Sequence, residues 1–260
     1  MEKPSKTTIK KIRELLREKK ARDESGSFIA EGFKIVSDVF TKGHDPVEVV
    51  CSAAFLENGK AGKLIAALED RSVPVYRIGD ADFDALSSLQ AAQGILAVMK
   101  KTRPAGLEKP AASDVLVLCD GIQDPGNMGS IIRTSAAFGV KAVLLINDCA
   151  DVYNPKVVRA SSGAIVDIPA YECPITELDR LKKEGCVVIA AQAGGDAEHI
   201  EKLTLEKGPR VIVFGSEGAG ISREVSDRAD TRFIIPIADK VESLNVNAAA
   251  AIVLYLLSRK

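Results

Sequence analysis

From residue 115 to residue 257 the chain alternates short apolar runs with segments of helical period. Residues 115–119, 142–146, 187–191, 211–214 and 233–237 are β-rich, and helical patterns lie near 128–138, 175–184, 221–229 and 244–258. Runs that are apolar at successive positions are covered on both faces, and strand–helix alternation assembles them into a parallel sheet. Ligands of such sheets bind outside the carboxyl ends of the strands. The loops after Cys119, Phe214 and Ile237 are therefore the places to look for chemistry.

The first hundred residues predict a smaller α/β unit. Ile9, Ile12, Leu15 and Leu16 recur at helical spacing and mark an amphipathic helix over 6–20 with a basic outer face. Strands are expected at 28–30, 47–51, 73–76 and 95–99, with helices near 32–40, 58–69 and 81–88. The stretch KKTRPAGLEKPAAS that follows has no periodicity and reads as a linker. The expected division is 1–100, a linker over 101–113, and 114–260, and a length of 260 residues suits two domains.

A net charge of −1 argues against a nucleic-acid binder only until its distribution is considered. Residues 1–22 hold nine Lys and Arg against three Glu, a net of +6, which leaves −7 for the rest. Such a block fits an anionic partner met by one end of the molecule, or a solvated lysine-rich helix. The N-terminal residues lack the apolar core of a signal peptide, and the longest apolar run, 248–257, is too short to span a bilayer. Five cysteines without C-x-x-C spacing indicate neither a disulfide framework nor a zinc site. The expectation is a cytoplasmic protein with no membrane contact and no metal.

The loop after Cys119 is punctuated by Gly121, Pro125, Gly126 and Gly129 and opens a helix, with Asn127 as its expected N-cap. Arg133 follows six residues later, near two turns on. Free amides and an Arg at a helix start make an anion site; an ordinary turn with a surface Arg has the same pattern. The loop after Phe214 runs Gly215-Ser-Glu217-Gly-Ala-Gly-Ile-Ser222. It is neither a Walker loop nor a G-x-G-x-x-G fingerprint, and Glu217 disfavours a pyrophosphate. The loop after Ile237 carries Glu242, Ser243, Leu244 and Asn245 ahead of the apolar helix. Capping accounts for Ser243 and Asn245. Asn247, beside an apolar run, needs a partner for its amide. His44 and His199 lie in hydrophilic stretches, outside any catalytic motif.

Taken together, these loops resemble the three motifs of the SpoU family of RNA ribose 2′-O-methyltransferases, the TrmH-like branch of the knotted methyltransferases. The motifs are an Asn-x-Gly followed by Arg-Thr, a Gly-Ser-Glu-Gly, and an Ile-Pro followed by Glu-Ser-Leu-Asn-Val. The segment Tyr153-Asn-Pro-Lys156-Val-Val-Arg159-Ala-Ser is similar to another family stretch, and Phe28-Ile-Ala-Glu31-Gly32 looks like part of the ribosomal-protein-like RNA-binding domain that many members carry. The resemblance implies a C-terminal domain with a deep trefoil knot and S-adenosylmethionine bound in it, contacting the backbone at Gly215, Ile235 and Leu244. It implies catalytic roles for Arg133, Asn127, Glu217, Ser243 and Asn245, with Glu217 paired to Arg133 or orienting a neighbour. It further implies a homodimer formed through the knotted region, and an RNA substrate, ribosomal RNA ahead of transfer RNA. Asp239–Lys240, Asn247 and Ser135 depart from common family residues. A catalytically silent RNA-binding protein on the same fold and a dinucleotide-dependent enzyme are the competing readings.

Overall fold

The protein is described by a computed structural model over residues 1–59, 61–102, 107–192, 197–203 and 208–257. Residues 103–106 of the expected linker and Ser258 of the expected last helix lie outside the described residues. The chain separates into two compact units.

The first unit starts with α1 (Lys6–Arg17) and α2 (Lys19–Ser25), separated at Glu18, whose backbone is extended. The helix expected over 6–20 is thus two helices. The bend places Arg22, 2% exposed, where it donates to the Leu15 carbonyl at 2.7 Å. One member of the basic block therefore serves the fold. Next come β1 (Ser27–Glu31), α3 (Phe33–Thr41), β2 (Glu48–Ser52), α4 (Ala53–Glu57), α5 (Ala61–Asp70), β3 (Val75–Ile78), α6 (Asp80–Leu86) and β4 (Ile95–Lys100). The four strands form a mixed sheet in the order β1-β4-β2-β3. Ile12 and Leu15 of α1 and Phe83 and Leu86 of α6 bury against Ile29, Val50 and Val98. The apolar stripe of α1 is part of a core, and its basic residues are left outward.

After β4 the chain continues with β5 (Val115–Asp120), α7 (Pro125–Ala137), β6 (Ala142–Ile146), α8 (Pro155–Ala160), β7 (Ala170–Glu172), α9 (Thr176–Lys183), β8 (Val187–Ala191), β9 (Glu198–His199), β10 (Arg210–Gly215), α10 (Arg223–Ser226), β11 (Thr231–Ile234) and α11 (Val246–Leu257), all of which except α8 lie in the second unit. Its seven strands run β7-β6-β5-β10-β8-β11-β9, and every pair is parallel. β5, β6 and β10 are buried almost throughout, which is why they read as continuous apolar runs. β11 ends at Ile234, three residues short of the expected strand, ahead of Pro236, which has no N–H to give a ladder.

Tyr153–Val166, with α8, belongs to the first compact unit although it comes from downstream chain. Tyr153 stacks at 4.9 Å on Phe28 and donates to the Thr102 carbonyl at 3.0 Å. Arg159 donates to Ser88 Oγ at 2.8 Å and lies 3.8 Å from Glu31.

Candidate active site

The carboxyl ends of β6, β5 and β10 lie level: Asp120 pairs with Ile146 on one side and with Gly215 on the other. The strand order reverses at β5, with β6 to one side and the late-arriving β10 to the other. The loops leaving β5 and β10 therefore emerge next to each other, at the place where parallel sheets bind ligands.

The N-cap of α7 is Asp124, and Asn127 is not the cap that the sequence led us to expect. Asp124 Oδ1 accepts from Asn127 N at 2.8 Å, and Pro125 occupies the first helical position. Freed from capping, the Asn127 side chain faces the other two loops. Its Nδ2 donates to Glu217 Oε1 at 3.0 Å, and its Oδ1 accepts from Asn245 Nδ2 at 2.9 Å. Asn245 Nδ2 also donates to Glu217 Oε1 at 2.7 Å, closing a ring of three side chains from three loops. The Asn245 Oδ1 meanwhile accepts from Asn247 N at 3.0 Å at the start of α11. Asn245 thus both caps that helix and joins the ring.

Arg133 is exposed on α7 and forms no ion pair or hydrogen bond among the described residues. Glu217 is thus not paired with Arg133; its partners are the two amides. An unpaired, exposed guanidinium keeps its full capacity for an incoming anion. The amide of Asn247 finds its partner in Thr134, whose hydroxyl donates to Oδ1 at 3.1 Å and ties α7 to α11.

Ile235, Ser243 and Leu244 line a cavity of about 510 Å³ at the ends of β8 and β11. Phe233, Pro236 and Ala249 give it apolar walls; Glu242 and His199 add polar groups, as does Gln192, which sequence reading had not singled out. Asn127 and Glu217 instead line a smaller cavity of about 290 Å³ with Gln123 and Ser216. Gly215 sits at the root of the second loop. A Cβ there would lie 2.2 Å from the Gly220 backbone, because Ser216 and Gly220 exchange backbone hydrogen bonds at 2.9 and 3.0 Å. Only glycine allows that closure.

Burial pushes the Cys119 and Cys149 thiols, beneath the first loop, above their ordinary range, and it pushes Cys173 up to about 12. They are protonated at neutral pH and unsuited to nucleophilic work. Among the described residues there is no group of His, Cys, Asp and Glu able to hold a metal ion, and no helix is long and apolar enough to cross a membrane.

A three-loop site on the carboxyl edge of a parallel sheet, with a neighbouring cavity, defines a ligand-binding α/β enzyme. The chain belongs to the SpoU rRNA methylase family, whose model matches residues 114–255, and it is an RNA methyltransferase of that family. Residues 6–97 match the MRM3-like substrate binding domain. A 23S rRNA (guanosine(2553)-2′-O)-methyltransferase, RlmP, from Bacillus subtilis is 30% identical over 241 residues, 92% of each chain. The AdoMet-bound rRNA methyltransferase from Sinorhizobium meliloti superposes with a TM-score of 0.86 at 27% identity, covering 100% of this chain and 97% of that one. The SpoU methyltransferase AviRb from Streptomyces viridochromogenes, solved in complex with the cofactor AdoMet, gives 0.83 at 25% identity, covering 98% of each chain.

Proposed function

We propose that this protein transfers the methyl group of S-adenosylmethionine to a ribose 2′-hydroxyl of structured RNA, ribosomal RNA in preference to transfer RNA. The observation that carries the reading is the ring of Asn127, Glu217 and Asn245, drawn from three loops at one sheet edge, with Arg133 left unpaired on the helix it starts from.

The residues present fit the donor. A cavity of about 510 Å³ is within the range of small-molecule sites, and its apolar walls suit an adenine while Ser243, Gln192 and Glu242 supply polar contacts. Ile235 and Leu244 hold the donor, and Gly215 fixes the neighbouring loop. When bound, S-adenosylmethionine supplies a methyl group already activated by the sulfonium charge.

The chain's own part is to bring a weakly acidic hydroxyl into position and stabilise it. Arginine stays protonated in proteins, so Arg133 acts as a cation and not as a base. It grips the RNA phosphate and the ribose 2′-oxygen and stabilises the charge that develops on that oxygen as the hydroxyl proton passes to solvent water. Asn127, held by Glu217 and Asn245, orients the nucleotide. Ser243 steadies the ribose or the methionine end of the donor.

The basic outer face of α1 delivers RNA to the site. Two copies pair through the C-terminal unit, whose chain threads a deep trefoil knot. Ile252 and Tyr255, 38% and 43% exposed on α11, give that pairing a surface. The protein works in the cytoplasm.

Arg133→Ala is the test, with methyl transfer from labelled S-adenosylmethionine to unmodified ribosomal RNA and donor affinity measured separately. The expected result is a loss of about 100-fold or more in kcat with donor affinity unchanged. Unchanged methyl transfer would sink the assignment.

A further inference from the structure

Asp120 ends β5 and is 3% exposed, yet none of the roles described so far uses it. Its carboxylate is fully engaged. Oδ1 accepts from Asn147 Nδ2 at 2.7 Å, and Oδ2 accepts from the Ser222 backbone N–H at 2.6 Å. Asn147 Nδ2 also reaches Ser222 Oγ at 3.3 Å. These partners belong to three different connections: Asp120 starts the loop into α7, Asn147 follows β6, and Ser222 ends the loop that leaves β10. Asn147 and the next residue, Asp148, adopt left-handed backbone conformations with φ of 54° and 55°. Non-glycine residues adopt that conformation at a cost, and here the turn is what swings the Asn147 amide toward Asp120.

The loop that bears Glu217 has two roots, and both are referenced to Asp120. One is Gly215, which faces Asp120 across the sheet. The other is Ser222, whose N–H the carboxylate holds. Between them, the mutual backbone bonds of Ser216 and Gly220 close the turn and leave Glu217 at its exposed tip. Asp120 also lies four residues before Asp124, which starts α7 and so sets Asn127. A buried carboxylate with charge-assisted hydrogen bonds makes a stiff anchor, because releasing it leaves a buried acceptor unpaired.

We infer that Asp120 is a positioning residue: by fixing Ser222 against the end of β5, it sets the loop that places Glu217 between Asn127 and Asn245. It touches no substrate. The inference rests on the methyltransferase reading for its consequence in turnover, but the anchor itself is measurable without any ligand.

The experiment compares wild type, Asp120→Ala, Asp120→Asn and Asn147→Gly in the full chain, by amide hydrogen exchange and by methyl transfer. Asp120→Ala is expected to speed exchange at residues 216–222 by about tenfold or more, leaving α9 unchanged. It should lower kcat about 30-fold with KM for the RNA within about threefold. Asp120→Asn keeps an oxygen for the Ser222 N–H and should stay within about fivefold of wild type. Asn147→Gly accepts the left-handed turn and removes one donor, so it gives a smaller rise in exchange at the same residues and covers the case in which Asp120→Ala does not fold. In a Glu217→Ala background, Asp120→Ala should add less than about threefold, since a residue acting through Glu217 has nothing left to position. Wild-type exchange at 216–222 in Asp120→Ala, or losses that multiply with Glu217→Ala, would overturn the inference. A wild-type protein that transfers no methyl group to RNA would overturn the proposed function alone, with the exchange data still deciding the anchor.

Discussion

Glu31 ends β1 and Asp120 ends β5, so each sheet closes its first strand on a buried acidic side chain. Their surroundings differ. The Glu31 carboxylate accepts from the Ser87 and Ser88 hydroxyls, the latter at 2.5 Å, and from the Ser88 N–H at 3.3 Å, all on one connection, and lies 3.8 Å from Arg159. Asp120 accepts from the Ser222 N–H and the Asn147 amide, which belong to two different loops. Strand direction accounts for the contrast. β1 pairs with an antiparallel neighbour, and Glu31 lies opposite Leu96 near the beginning of β4. Among the described residues no neighbouring strand ends beside it, and its carboxylate is used to clasp chain segments together. β5 lies between two parallel strands that end level with it, so one carboxylate reaches two further loops. A parallel sheet gathers its loops on one edge, and a site made of loops needs that gathering.

The largest effect that would break this comparison is expected at the clasp. Glu31→Ala leaves the Ser87 and Ser88 hydroxyls and the Ser88 N–H without their acceptor and should cost about 3 kcal/mol in urea unfolding, because each part-buried donor left unpaired keeps its desolvation penalty. A cost below about 1 kcal/mol, the size of a surface pair, would show that Glu31 is not a clasp. Next is Gly215→Ala, whose Cβ meets the Gly220 backbone at 2.2 Å. Overpacking of this kind costs about 2 kcal/mol. The expected loss of methyl transfer is about tenfold or more, since a misplaced loop misplaces Glu217. Unchanged turnover would mean that the second loop does not set the site.

The smallest effect concerns the basic face. Ile12 and Leu15 of α1 are buried, so removing the N-terminal residues would damage the core and say little about RNA. Replacing the exposed Lys6, Arg13 and Arg17 with Gln leaves the packing intact. If these residues meet phosphates, the slope of log affinity against log salt should fall by about 2 to 3. An unaltered slope would assign the block to solvent.

Much of the second unit was legible in its sequence. Buried parallel strands must be apolar on both faces, so the runs at 115–119, 142–146 and 211–214 reappear as β5, β6 and β10 with ends shifted by a residue at most. β7 and β9 have three and two residues and leave too little pattern to read. The start of α7 was misplaced although the signal was present: an Asp followed by Pro is a cap and first-turn pair, and it moves the helix start back to Pro125. Arg22 counted as surface charge by composition, and only the bend at Glu18 turns it inward onto the Leu15 carbonyl.

The site divides in the same way. Strand alternation pointed to the right loops, and their resemblance to the SpoU motifs made Asn127, Glu217, Ser243 and Asn245 candidates; read alone, those loops offered turns and helix caps. Sequence also fixed the alternation that makes a parallel sheet. It did not determine which polar groups meet. Asn127 and Asn245 are separated by 118 positions, and Asp120 and Ser222 by 102. Those pairings exist because β10, arriving late in the chain, inserts beside β5 and brings its loop to the same edge. Local propensity acts over a few residues and can specify a cap, a turn or a strand. A hydrogen bond across a hundred residues is set by strand order and register, and here the tertiary fold alone decides them.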